Sequence, residues 1–146
     1  MIVSTHAVAT IAVGKLLGIE TLRDWFLAFL FGFLIDLDHL KIFRSKHINN
    51  GDWKKFFNGE LPCHSFLHEP VSIFFIVPLS FYLQTPVPMA AWSVHIFLDY
   101  LVDGAKRPFW PISNFTLKKG IFPAGSLWEW VLSLPLSLFL FWKEVI

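Results

Sequence analysis

The chain has 146 residues, enough for one domain, and 55% of them are hydrophobic and 18% aromatic, with a mean hydropathy of +0.56. That composition departs from ordinary soluble domains and makes a lipid bilayer the expected solvent. A net charge of +1 and a pI of about 7.9 exclude a bulk electrostatic case for nucleic acid as partner, and the single cysteine, Cys63, cannot form an internal disulfide.

In chain order, apolar stretches run over about 2 to 18, 25 to 40, 67 to 84, 89 to 103 and 127 to 142. The N-terminal Met1-Ile-Val-Ser-Thr-His6 lacks the basic region and small-residue cleavage site of a secretory signal, so it is expected to belong to the mature fold. Gly18 is the expected stop of the first helix and Gly104 of the fourth. Thr21-x-x-Asp24 and Ser126-x-x-Glu129 have capping-box spacing before the second and fifth stretches. Pro78 and Pro135 fall inside apolar runs and predict kinks.

The predicted fold is all-α: a single membrane-embedded domain, 1–146, built as an integral membrane bundle of about five helices. Every stretch is short for a perpendicular span, which wants about 20 apolar residues, so polar helix ends are expected to recess into the bundle or the bilayer to thin locally. Alternating helices put the connections 41 to 66 and 104 to 126 on one side. That side carries Lys41, Arg44, Lys46, Lys54, Lys55, Lys106, Arg107, Lys118 and Lys119, and the other side mainly Arg23 and Lys143. The positive-inside rule then predicts a multi-pass protein of the inner (cytoplasmic) membrane, with its N-terminus and long basic loops cytoplasmic. Lys54 and Lys55, beside Trp53, Phe56 and Phe57, are expected to form a segment that attracts anionic headgroups.

Four of the six histidines stand near acids or other histidines, in Asp36-Leu-Asp38-His39, His64-Ser-Phe-Leu-His68-Glu69, and His95-Ile-Phe-Leu-Asp99 followed by Asp103, and a fifth, His6, follows Thr5 near the start of the first stretch. The five-helix topology places all of these blocks at helix ends on the basic side. His95, Asp99 and Asp103 are spaced i, i+4, i+8 and share one stripe, along which His95 and Asp99 can grip one ion while Asp103 lies nearer water. Asp36 and His39 share a face at i, i+3, and Asp38 is placed to bind a second ion or to accept a proton. His64 and His68, if helical, have the i, i+4 spacing that lets two ligands share one metal. Glu129 ranks as a third-tier ligand because the capping box already accounts for it. Imidazoles mixed with carboxylates suit zinc first, with manganese or iron as alternatives, and one or two ions fit the donor count. A metal so held acidifies water and polarises a substrate oxygen, which is hydrolase chemistry.

Thr5-His6, Phe33-Leu-Ile-Asp36-Leu-Asp38-His39, His64-Ser65 and His95-Ile-Phe-Leu-Asp99-Tyr-Leu-Val-Asp103 together resemble the membrane-bound metal-dependent hydrolases known as LexA-binding, inner membrane-associated hydrolases. In that family an early Thr-His is followed by a Pro-Asp-x-Asp-His block, a His-Ser block opening a helix, and a His-x-x-x-Asp-x-x-x-Asp helix. Here Ile35 stands where proline is usual, and either His64 or His68 answers to the helix-opening histidine. Read together, these residues make His6, Asp36, His39, His64, His68, His95 and Asp99 the expected metal ligands and Asp38 and Asp103 the expected catalytic residues, and the resemblance implies the reaction class. A distant likeness to zinc-dependent phospholipase C makes a phosphoester or lipid-borne ester the expected substrate, with membrane lipids as partners. Two other classes stand beside this one: a metal ion or proton transporter, which would want polar residues through the full thickness, and a non-catalytic metal-stapled membrane scaffold. Haem ligation by two histidines is disfavoured by the carboxylate beside each.

Overall fold

The structure, a computed structural model, describes residues 3–39, 66–104, 106–117, 119–123, 127, 131, 133–135 and 137–138. Four α-helices are named from it: α1 (Val3–Leu16), α2 (Leu22–Gly32), α3 (Ile73–Tyr82) and α4 (Val87–Leu101). Short 3₁₀ segments cover Leu34–His39, Phe66–His68 and Pro70–Ser72.

Local sequence sets the ends of these helices. Gly18 takes φ +63 just past α1, and the Ile19 N–H reaches back to the Gly14 carbonyl at 3.0 Å. A left-handed residue at this position satisfies orphan helix carbonyls and costs glycine nothing sterically. Thr21 caps α2: its Oγ1 accepts the Asp24 N–H at 3.1 Å, and Asp24 lies in the first turn, where its charge favours the helix dipole. α3 begins only at Ile73, because Pro70 starts a separate 3₁₀ turn.

α1, α2 and α4 pack on one another, and α3 packs on α4. The core is made by Leu27, Ala28 and Phe31 of α2, Ile35, Ile76 of α3, and Val87, Ala91, Trp92 and Ile96 of α4. Removing the Val, Leu, Ile and Phe side chains among them from water contributes about 1.5–3 kcal/mol each. Trp92 adds a polar tie, donating from Nε1 to the Leu67 carbonyl at 2.8 Å. Gly32 allows the close approach of α1, since a Cβ there would run into the Thr10 hydroxyl. From α4 to residue 123 the described chain is irregular, with isolated bridges pairing Val102 with Phe122 and Lys106 with Leu117, and the described residues from 127 to 138 are helical.

The expected integral membrane bundle is corrected. Among the described residues no helix is long and apolar enough to cross a membrane. The longest, α4, has 15 residues and spans about 22 Å at 1.5 Å per residue, against a hydrocarbon core of about 30 Å. The transmembrane assignment and the multi-pass inner-membrane location fall with it. The apolar residues that suggested a bilayer are divided between a small core and side chains such as Leu22, Phe74, Tyr82 and Ile112, each at least 80% exposed. The Lys54–Lys55 segment lies outside the described residues.

Candidate metal centre

Three separate elements bring acids and imidazoles to one point. His6 comes from the first turns of α1, Asp36 from the 3₁₀ segment that continues α2, and His95 and Asp99 from successive turns of α4. One donor atom from each of the four lies within 4.8 Å of all the others, a group that can hold a metal ion. His6 and His95 are each 1% exposed, while the Asp36 and Asp99 side chains keep 14% and 17% of their surface open.

The distances bear on what joins these groups. His6 Nε2 lies 3.0 Å from Asp99 Oδ1 and 3.9 Å from Asp36 Oδ2; His95 Nε2 lies 3.3 Å from Asp99 Oδ2 and 3.5 Å from Asp36 Oδ1. Ligand bonds of 2.0–2.2 Å around a tetrahedral ion place neighbouring donors about 3.4 Å apart, a spacing that donor atoms lying within 4.8 Å of one another can adopt. The two imidazole rings stack at 4.0 Å between centroids, with 22° between planes. One divalent ion among these donors would balance the charge of the two carboxylates.

The tautomer of His95 follows from its partner. His95 Nδ1 sits 3.0 Å from the carbonyl of Gly32, which can only accept, so Nδ1 carries the hydrogen. That carbonyl is one of the orphan acceptors of the last turn of α2. Nε2 is thereby turned towards both carboxylates, buried and without a hydrogen-bond partner. Metal-ligating histidines are oriented this way, with the second nitrogen donating to a carbonyl or carboxylate. On the α1 side, the Thr10 hydroxyl donates to the His6 carbonyl at 2.8 Å.

Charge in the cluster is set by these contacts. Burial pushes the Asp99 carboxyl up, but the His6 hydrogen bond and the adjacent His95 imidazole outweigh it and hold Asp99 well below the usual carboxylate value. Asp36 is likewise raised by burial and lowered further by His68, His95 and His6, for a net fall. Both are carboxylates at neutral pH, as metal ligation requires.

His68 joins from the side. Its Nε2 lies 3.1 Å from Asp36 Oδ1, and its ring meets that of His95 edge-on at 5.0 Å. Of the expected ligands, the structure therefore gathers His6, Asp36, His68, His95 and Asp99. Asp103 is not among them: α4 ends at Leu101 and Val102 is extended, so Asp103 leaves the helical stripe and its Oδ1 accepts the Gly120 N–H at 2.7 Å. Asp38 and His39 lie on the 3₁₀ segment Leu34–His39, but their side chains, and all of His64 and Glu129, lie outside the described residues.

Two contributors carry no chemistry-bearing motif. The Gly32 carbonyl is visible in sequence only as the last turn of a helix ending near the acidic block. Glu69, 3% exposed and hydrogen-bonded to Tyr100 and the Arg107 N–H, is marked in the sequence only by its place next to His68 and before Pro70. In comparisons with known proteins, no family model, curated protein or solved structure matches this chain.

Proposed function

We propose that this protein is a metal-dependent hydrolase acting on a phosphoester or related ester, with zinc as the first-choice ion and manganese or iron as alternatives. One observation carries the reading: His95, its Nδ1 held on the Gly32 carbonyl, aims Nε2 at two ionised carboxylates 3.3 and 3.5 Å away, where a bound cation would offset the burial of two like charges. The ordered likeness of the Thr-His, Asp-x-Asp-His and His-x-x-x-Asp blocks to metal-dependent hydrolases supports the reaction class.

A divalent ion at such a site supplies a Lewis acid that acidifies water and polarises the substrate oxygen. The remaining work belongs to the chain. His6, Asp36, His95 and Asp99 hold the site, and the two carboxylates keep 14% and 17% of their side-chain surface accessible. His68, against Asp36 Oδ1, fixes the direction in which that carboxylate points. The buried faces of His6 and His95 exclude water from the rear.

A second reading, a metal staple without catalysis, is favoured by the origin of the four donors on three separate elements. The experiment that separates the two is hydrolysis of a chromogenic phosphomonoester and phosphodiester by the zinc-loaded chain, with Asp99→Asn as control. Turnover that disappears in Asp99→Asn supports the hydrolase. A zinc-loaded chain inert on both substrates, whose manganese form shows no water exchange by relaxivity, supports the staple.

A further inference from the structure

Beside the cluster the chain repeats one arrangement twice. Asp99 faces the cluster and its neighbour Tyr100 faces away; His68 faces the cluster and its neighbour Glu69 faces away. The two outward residues meet: the Tyr100 hydroxyl donates to Glu69 Oε2 at 3.4 Å. Burial first, and then the adjacent Glu69 carboxylate, push the Tyr100 phenol well above its ordinary value, so it stays a donor. The other oxygen of Glu69 accepts the backbone N–H of Arg107 at 3.1 Å.

Glu69 thus ties together three pieces of chain: its own segment before α3, the end of α4, and the strand-like stretch at 106–107. The segment around His68 is held at two further points. The Leu67 carbonyl accepts from Trp92 Nε1 at 2.8 Å and from Ser72 Oγ at 3.3 Å, and the Glu69 carbonyl accepts from the Ser72 N–H at 2.9 Å. A buried carboxylate costs more than its contacts usually return, and its retention is best explained by a geometry it fixes. The geometry here is the seat of His68 on Asp36 and of Asp99 on His6 and His95.

From this double pairing we infer that Glu69 is the positioning residue of the metal centre, holding His68 and Asp99 in register through Tyr100 so that Asp36 and Asp99 present their oxygens to one ion. The inference rests on the metal-centre reading above. Outer contacts of this kind typically set metal affinity within a range of about 10- to 100-fold.

The test uses the full chain, stripped of metal, in a zinc titration against a competing chelator, together with the visible spectrum of the cobalt(II)-loaded protein. Glu69→Ala is expected to lower zinc affinity about 10- to 100-fold and to shift the cobalt spectrum. Glu69→Gln, which keeps an oxygen for the Arg107 N–H, is expected to restore most of both, and Tyr100→Phe to change both in the same direction as Glu69→Ala by less. A purely structural Glu69 would lower thermal stability and leave the cobalt spectrum of the folded protein in place. Wild-type affinity and spectrum in folded Glu69→Ala would overturn the inference. Should Glu69→Ala fail to fold, Tyr100→Phe decides it, because loss of one hydroxyl with unchanged affinity and spectrum overturns it equally. Asp99→Asn separates the two levels: if that variant loses zinc while Glu69→Ala keeps it, only the role of Glu69 falls, and if Asp99→Asn binds zinc as the wild type does, the centre falls and Glu69 with it.

Discussion

At His95 the choice of tautomer is made outside the cluster, by a helix-end carbonyl, and the ionisation of Asp36 and Asp99 is made inside it, by imidazoles. The two carboxyls have folded-state values below the ordinary 3.8, Asp99 the further. Between its folded and unfolded values such a group binds fewer protons in the native state, so its contribution to stability is full above the unfolded value and is lost as pH falls through the folded one. Urea midpoints of the metal-free protein are therefore expected to fall below about pH 4, and Asp99→Asn is expected to flatten that acid limb. An acid limb identical in the two proteins would show that Asp99 is not held ionised by its neighbours. His95 and Asp99 were legible from their i, i+4 spacing alone. Gly32 was not, because its part is played by a backbone carbonyl that no side-chain pattern marks.

At the scale of elements, the site depends on how α1 and α2 approach and on where α2 ends, and not on how α2 starts. Thr21→Ala removes the side-chain acceptor for the Asp24 N–H and is expected to cost about 1 kcal/mol in denaturant titrations, with metal binding unchanged. Gly32→Ala is different. Its new Cβ would displace Thr10, whose hydroxyl holds the His6 carbonyl, so a loss of about 1–3 kcal/mol should come with weaker zinc binding. Wild-type zinc affinity in Gly32→Ala would separate helix packing from the site. The Thr21 cap and the Gly18 stop could be read directly, since both rest on local chemistry. The place of Asp103 could not: the stripe assumed a helix continuing past Leu101, whereas the Ile121 and Phe122 N–H groups bond to the Leu101 carbonyl and the Asp103 N–H to Phe122, drawing the chain into an extended path.

For the molecule as a whole, hydropathy predicted membrane-spanning helices that the described residues do not form. Helices of 10 to 15 residues are too short to span about 30 Å of hydrocarbon, yet alternating them end to end still brings the start of α1, the end of α2 and the last turns of α4 together. Composition counts apolar residues without saying which are buried, and here large aromatics such as Phe74 and Tyr82 remain exposed. The central claim is that His6, Asp36, His95 and Asp99 hold a metal ion between them. It is tested most directly by elemental analysis of zinc per chain, after equilibration with zinc and removal of the excess, on wild type, His95→Ala and Asp99→Asn, each shown to be folded by circular dichroism. The account predicts one zinc per wild-type chain and a near-complete loss in both variants, since each removes a ligand from a four-donor site. Equal zinc content in all three folded proteins would contradict it.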